Sequence, residues 1–344
     1  MVLLASLAAH SMLSGSMSAG AQERVQWKMQ SAFPSHLSIL GEVSARFEGV
    51  IDRLSGGTLE IRFYEPGALV PTFEAFDAVK SGALDSMWGT PGFHAGKIPA
   101  LTWFSSVPFG PRAGEYLAWL RYGGGSEIYD EIYAEHGLKG LHCTIIAPEA
   151  SGWFRKEISS LDDFKGLKIR FFGLGAKVIA KLGASTQLLA PVDIYPGLER
   201  GVIDAAEYSM PSIDQDLGFH QVAKHYYFPG WHQQATAGEL LMNADKWEAL
   251  SDQHKVVIET ACGDSLQWSF VRSEAVQYQA MLELQKKGVT LHRWPDSVLQ
   301  VLEQKWQEVI EEEAAADPLF ERVHESYATF REQYAIWREH GYLD

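Results

Sequence analysis

Apolar spacing cuts the first part of the chain into alternating strands and helices. Val25 to Gln30 reads as a strand, and Ala32 to Ser38 as a loop carrying Pro and Ser. Ile39 to Leu54 has apolar residues at helical spacing and stops at Gly56-Gly57. Leu59 to Tyr64 is a second strand, Thr72 to Lys80 a helix ended by Ser81-Gly82, and Leu84 to Trp88 a third strand. This β-α-β-α-β order predicts a parallel sheet with helices on its faces.

The unit then returns. Leu161 to Gly166 leads into a strand from Leu167 to Phe172, a helix from Ala176 to Leu182, a short helix from Tyr195 to Arg200 and a strand from Val202 to Ala206. Phe76-Asp77-Ala78-Val79-Lys80-Ser81-Gly82-Ala83-Leu84-Asp85 and Tyr195-Pro196-Gly197-Leu198-Glu199-Arg200-Gly201-Val202-Ile203-Asp204 share one plan. Each is a helix, a glycine cap, then an apolar residue and Asp at the opening of a strand. Two such halves predict two similar α/β lobes facing each other across a cleft. The C-terminal third is helical: Asp252 to Lys287 has no proline and is too long for a packing helix without a bend. Val289 to Trp294 is a strand, with helices from Ser297 to Ala315 and from Pro318 to His340. The last carries Phe320, Tyr327, Phe330, Tyr334 and Trp337, followed by Tyr342, a stripe that belongs to the core or docks on a second subunit.

Composition narrows the function classes. With 344 residues, 46% hydrophobic and 21% charged, the chain can bury a real core in two domains. A net charge of -15 argues against nucleic acid or an anionic membrane surface as partner. The apolar stretch Val2 to Met12, polar Ser14 to Ser18 and Ala19-Gly20-Ala21 fit a signal peptide over 1–21, cleaved before Gln22, and hence export to the periplasm. The lobes are then expected at 22–147 and 148–245, with helices and a dimerisation helix over 246–344. Cys143 and Cys262 read as two buried free thiols, with a bridge as the alternative that export permits.

The chemistry centres on Leu167-Lys168-Ile169-Arg170-Phe171-Phe172-Gly173-Leu174-Gly175. A strand delivers Arg170 to its end, where ligands of open α/β sheets bind. A guanidinium there can grip a carboxylate with two parallel hydrogen bonds; the plainer reading pairs it with a structural Asp or Glu. Gly173-Leu174-Gly175-Ala176-Lys177-Val178 imitates a dinucleotide fingerprint but lacks its third glycine. No G-x-S-x-G or H-E-x-x-H occurs, and His94, His220 and His232 show no metal-ligand spacing, so the chain does not read as an enzyme. Glu149, Glu207, Tyr208 and Gln233 offer oxygen donors suited to Na⁺ or Ca²⁺. With Arg170 they describe a small anion pocket, walled by Phe109, Tyr208 and Trp231.

The chain resembles the periplasmic solute receptors of TRAP (tripartite ATP-independent periplasmic) transporters, and most of all the branch that binds 2-oxo acids and lactate. The passages that carry the resemblance are Val107-Pro108-Phe109-Gly110, Gly152-Trp153-Phe154-Arg155-Lys156-Glu157-Ile158, the Arg170 strand, Asp193-Ile194-Tyr195-Pro196, Ile203-Asp204-Ala205-Ala206-Glu207 and Tyr226-Tyr227-Phe228-Pro229-Gly230-Trp231. The resemblance implies a two-lobed trap crossed by a long helix, an Arg170–carboxylate pair, and a metal ion touching the ligand. It places that ion on Glu149, Glu207, the carbonyl of Tyr208 and Gln233, and implies a homodimer through the C-terminal helix and TRAP membrane subunits as partners. Three departures stand out. Glu149 and Gln233 are exchanged relative to the usual Gln and Glu, Tyr208 replaces a common Trp, and Gly92-Phe93-His94 replaces a tyrosine-rich run. The last departure puts Phe93 in the pocket and predicts a wider cavity, suited to a 2-oxo acid larger than pyruvate. The rival expectations are a metal-free receptor for a sugar acid or dicarboxylate, an exported enzyme acting on 2-oxo acids, and a sensor presenting its ligand to a signalling partner.

Overall fold

The computed structural model describes residues 24–343. The expected signal peptide, 1–21, and the expected mature start at Gln22 lie outside the described residues. The strands are β1 (Val25–Ser31), β2 (Leu59–Tyr64), β3 (Ser86–Gly89), β4 (Leu138–Ile146), β5 (Gly152–Phe154), β6 (Lys168–Arg170), β7 (Ser185–Gln187), β8 (Ala205–Ala206), β9 (His225–Phe228), β10 (Thr236–Asn243) and β11 (Thr290–Arg293). They form two sheets, in the orders β2-β1-β3-β10-β4 and β11-β9-β5-β8-β6-β7. Helices cover both, giving the two-lobed α/β architecture.

The repeated unit has a physical counterpart in each sheet. β1 pairs in parallel with β2 and β3, and β6 with β7 and β8. Gly82 and Gly201, the matching helix stops, have φ of 77° and 71°, a left-handed turn that costs glycine nothing. The matching aspartates each hold the neighbouring strand: Lys28 N–H donates to Asp85 at 2.6 Å, and Lys168 N–H to Asp204 at 3.2 Å.

Two expectations need correction. The sheets are mixed rather than parallel, because β10 runs antiparallel to β3 and β4, and β5 antiparallel to β8 and β9. The boundary at 245 also fails as a lobe boundary. β10 comes from the stretch read as the second lobe yet is the strand between β3 and β4, and β11 returns to the second sheet beside β9. An almost wholly buried run from Ala237 to Asn243 belongs in the middle of a sheet, and only the first sheet offers two partners there.

The chain therefore passes between lobes from β4 to β5, from β9 to β10, and from β10 to β11. The third passage is the long helical segment, Asp252–Ala275 followed by Gln277–Lys286, with the expected bend at Val276. Its serines grip the end of β4: Ile145 N–H donates to Ser269 Oγ at 3.2 Å and Ala147 N–H to Ser273 Oγ at 2.9 Å. Helices Asp296–Ala316 and Pro318–Gly341 close the chain. Phe320 and Tyr327 are buried against Trp103, whereas Trp337 and Tyr342 are more than half exposed. The aromatic stripe is thus core at its start and surface at its end.

Cys143 and Cys262 form a disulfide, which overturns the expectation of two free thiols. β4 packs directly on helix Asp252–Ala275, a proximity hidden by the 119-residue separation. Closing so long a loop constrains the unfolded chain strongly. The double variant C143S/C262S should lose about 2–5 kcal/mol of stability. Urea unfolding against the oxidised parent checks this; coincident curves would contradict it.

Candidate ligand and cation site

The first two passages between the sheets carry three polar groups of the site. Residues 147–151 hold Glu149, and residues 229–235 hold His232 and Gln233. The two segments bond to each other through backbone: Glu149 N–H donates to Gln233 O and Gly230 N–H to Glu149 O, both at 3.0 Å. Gly230 must be glycine for this approach, because a Cβ there would fall 2.2 Å from Glu149 O. Glu149 and Gln233 are therefore fixed by the segments that join the lobes.

Arg170 ends β6 and is buried. Its Nη1 donates to the backbone oxygen of Glu207 and, at 3.0 Å, to Glu207 Oε2. The same Oε2 accepts from Phe172 N–H at 2.9 Å. Glu207 Oε1 lies 3.2 Å from His232 Nε2. The guanidinium carbon sits 5.1 Å from the centre of the Tyr208 ring, within cation–π range. Arg170 Nε and Tyr208 Oη are buried without a hydrogen-bond partner, a cost that an occupant of the cavity can remove.

Glu149 Oε1 accepts from Thr236 Oγ1 at 2.8 Å. One end of the Gln233 amide meets the same hydroxyl at 2.8 Å. Its other end lies 3.2 Å from Glu149 Oε2, 3.1 Å from Glu207 Oε1 and 3.0 Å from His232 Nε2. Turned one way, the amide nitrogen donates to both carboxylates; turned the other, four electron-rich atoms face one another. Oxygen and nitrogen are assigned in such an amide by their surroundings. The second orientation is the one a cation creates, and two carboxylates with an amide oxygen form a hard donor set suited to Na⁺ or Ca²⁺. Glu149, Glu207 and His232 each offer one ligand atom within 4.8 Å of the others.

These residues line a cavity between the lobes. Arg170, Glu149, Tyr208, Phe172 and Gln233 face Phe33, Phe93, Thr90, Thr144 and Ile146, with Thr236 to Gly238 at its side. The space open to water-sized molecules is about 40 Å³, where one water needs roughly 10–15 Å³. It admits a molecule the size of a few waters, polar at the Arg170 end and apolar elsewhere.

The profile of the bacterial extracellular solute-binding proteins, family 7 (DctP), matches residues 31–317. The chain belongs to this family. A monocarboxylate 2-oxoacid-binding periplasmic protein of Nostoc sp. is 32% identical over 313 residues, 91% of this chain and 86% of that protein. A TRAP transporter solute-binding protein from Bordetella bronchiseptica, crystallised with copurified calcium and picolinate, superposes with a TM-score of 0.89 at 32% identity, covering 92% of this chain and 94% of that one. A TRAP periplasmic solute-binding protein from Pseudoalteromonas atlantica, with bound sodium and pyruvate, superposes at 0.88 with 30% identity, covering 92% and 96%.

Not every expected residue of this family member faces the cavity. Arg170, Glu149, Tyr208, Phe93 and Gln233 line it, and Glu207 sits fully buried behind them. Phe109 and Trp231 do not line it. They stack on each other with centroids 5.6 Å apart, and Phe109 N–H donates to Trp231 O at 2.7 Å, so they form a layer of core behind the site. The Gly92-Phe93-His94 run brings one aromatic ring to the cavity. Phe93 meets Phe172 across the cavity, while His94 turns into the first lobe toward Glu239, at 3.3 Å. His232 and Phe172 were missed. His232 carries no metal-ligand spacing in sequence, only its place beside Gln233. Phe172 could have been found by strand alternation, since two residues on from Arg170 returns to the same side.

Burial splits the behaviour of the two carboxyls. Burial, reinforced by the charge of Glu207, raises the Glu149 carboxyl well above the ordinary range. Burial also opposes ionisation of Glu207, but His232 and Arg170 with the Phe172 N–H outweigh it and hold this carboxyl below its usual value. Nearby Asp214, buried beneath Tyr226 and Trp153, is pushed up to about 7 by burial despite their hydrogen bonds. For Glu149 and Asp214 the native state keeps a proton that the unfolded chain has lost. Stability therefore falls as pH rises from their usual values of 4.5 and 3.8 toward the raised native ones. Glu207 acts oppositely: its contribution is present above its usual 4.5 and is lost as pH falls through its lower native value. Because Ca²⁺ replaces the Glu149 proton, the rise in melting temperature that Ca²⁺ gives to chelated protein should be larger at about pH 8 than at about pH 6. Thermal melts with and without Ca²⁺ at the two pH values check this; an equal or smaller rise at the higher pH would contradict it.

Proposed function

We propose that this protein is the periplasmic receptor of a TRAP transporter for a small monocarboxylate of the 2-oxo-acid class, bound together with Na⁺ or Ca²⁺. The observation that carries the reading is the convergence of Glu149, Glu207 and the Gln233 amide beside the buried Arg170, in a cavity that both lobes line. Arg170 anchors the ligand carboxylate. Glu149, Glu207, Gln233 and the Tyr208 carbonyl hold the cation, which meets the ligand carboxylate or its 2-oxo oxygen. Relatives with calcium and picolinate or with sodium and pyruvate, and the 2-oxoacid-binding protein of Nostoc, support the same ligand class.

Charge balance favours the cation. Three carboxylates, two from the protein and one from the ligand, against one guanidinium would leave two net negative charges in a buried space. Ca²⁺ cancels them, and Na⁺ with a proton on Glu149 does the same. The apolar walls of Phe33, Phe93, Ile146 and Phe172 suit a hydrocarbon tail better than the hydroxyls of a sugar acid. As a receptor the protein returns its ligand unchanged to TRAP membrane subunits. Export to the periplasm accords with its disulfide, and a homodimer through the C-terminal helix with the exposed Ile336, Trp337 and Tyr342.

Calorimetry on protein stripped of ligand and metal should show pyruvate or lactate binding with Ca²⁺ or Na⁺ and much weaker binding in chelator. R170A should lower affinity by about 10- to 150-fold, the loss of a charged hydrogen-bond pair worth about 1.5–3 kcal/mol. Tight, cation-independent binding of a sugar acid would contradict the reading.

A further inference from the structure

We propose that Phe172 is a specificity-determining residue: its ring, seated on Gly92 and against Phe93 of the facing lobe, closes the apolar end of the cavity and restricts the occupant to 2-oxo acids with short tails. The inference rests on the receptor function proposed above and names the part of the site that measures the ligand's tail.

The root of the Phe172 ring is fixed by the ligand site itself. Its N–H donates to Glu207 Oε2 at 2.9 Å, the same oxygen that pairs with Arg170. From there the ring crosses to the first lobe and meets Phe93 edge-on, with centroids 5.5 Å apart and planes at 88°. Phe93 in turn packs against Phe33 at 6.1 Å and Phe73 at 5.5 Å. Aromatic pairs in this geometry are attractive beyond their buried area.

Gly92 shows how closely the two lobes interlock. A Cβ at Gly92 would lie 2.4 Å from Phe172 Cζ and 3.1 Å from its Cε2. The backbone there is not left-handed, so what a side chain at this position meets is the Phe172 ring and Ser105 Oγ, not a backbone restriction. The segment that carries Gly92 and Phe93 has little freedom to retreat. Gly92 N–H donates to Ser105 Oγ at 2.5 Å, and His94 on the other side faces the buried Glu239 at 3.3 Å. Two rooted rings on opposite lobes therefore bound the apolar end of a cavity of about 40 Å³.

The chemistry of the occupant follows. Its carboxylate and 2-oxo oxygen belong at the Arg170 and cation end, its tail faces the Phe93–Phe172 pair, and a cavity of about 40 Å³ limits that tail to a short one. A branched or aromatic tail collides with rings that cannot both move while the lobes stay closed.

Calorimetry in Ca²⁺ with pyruvate, 2-oxobutyrate and 4-methyl-2-oxopentanoate tests this on the parent protein, F172A, F172L and G92A. The parent should favour the two short acids by about tenfold or more, the usual weight of extra methylenes in a fitted pocket. F172A should erase or invert that order while keeping cation dependence, with F172L between. G92A should weaken all three acids, and should weaken them less when combined with F172A, because the ring it strikes is gone. A parent that binds short acids with cation dependence, together with F172A and F172L variants that keep its order of preference, would overturn the role of Phe172 and leave the proposed function standing. A parent that binds no 2-oxo acid would overturn both.

Discussion

Glu149 and Glu207 meet in a buried space beside one guanidinium, that of Arg170. Two ionised carboxylates in such a place are not stable alone, because desolvation and mutual repulsion act in the same direction. The protein divides the burden unequally. Glu207 receives Arg170, His232 and the Phe172 N–H and stays ionised, while Glu149 has Thr236 and the Gln233 amide and tends to keep its proton. In the proposed function a cation takes the place of the Glu149 proton among the Glu149, Glu207 and Gln233 oxygens, and a bound carboxylate then meets both the cation and Arg170. Capture of an anion by a protein with a net charge of -15 is thereby made local.

In the proposed function the location of these groups couples binding to closure. Glu149 and Gln233 lie on the segments that pass between the sheets, Arg170 and Glu207 on the second lobe, and Thr90, Thr144 and Phe93 on the first. A ligand that touches all of them has contacts in the closed form that it lacks in an open one, and only such a difference can move the equilibrium. The long helix contacts both lobes. Its Ser269 and Ser273 hold the end of β4, and past the bend at Val276 its second half packs on the other lobe near Gln215 and Ser212. The Cys143–Cys262 bridge fastens that helix to the first lobe.

Much of this was legible in the sequence because it is local. The β-α units, their glycine stops and the paired aspartates at 85 and 204 are short-range patterns, and Arg170 stands out as a charged residue at the end of an apolar strand. The oxygen donors 149, 207 and 233 are ordinary residues singly; they stood out as a set through the family resemblance. What was missed depends on long-range topology. β10 and β11 change lobes, and the disulfide joins elements 119 residues apart, which periodicity does not reveal. Phe109 and Trp231 were misassigned because aromatic identity does not tell a pocket wall from the core layer behind it. His232 was discounted because its partners are two glutamates from distant segments rather than a histidine one helical turn away.

A crystal structure of the protein grown with Ca²⁺ and pyruvate tests the central claim most directly, with the anomalous signal of calcium marking the ion. The account predicts one Ca²⁺ bound by oxygens of Glu149, Glu207 and Gln233 and by the ligand, with the pyruvate carboxylate on Arg170. Pyruvate on Arg170 without an ion among those oxygens, or calcium bound elsewhere, would contradict it.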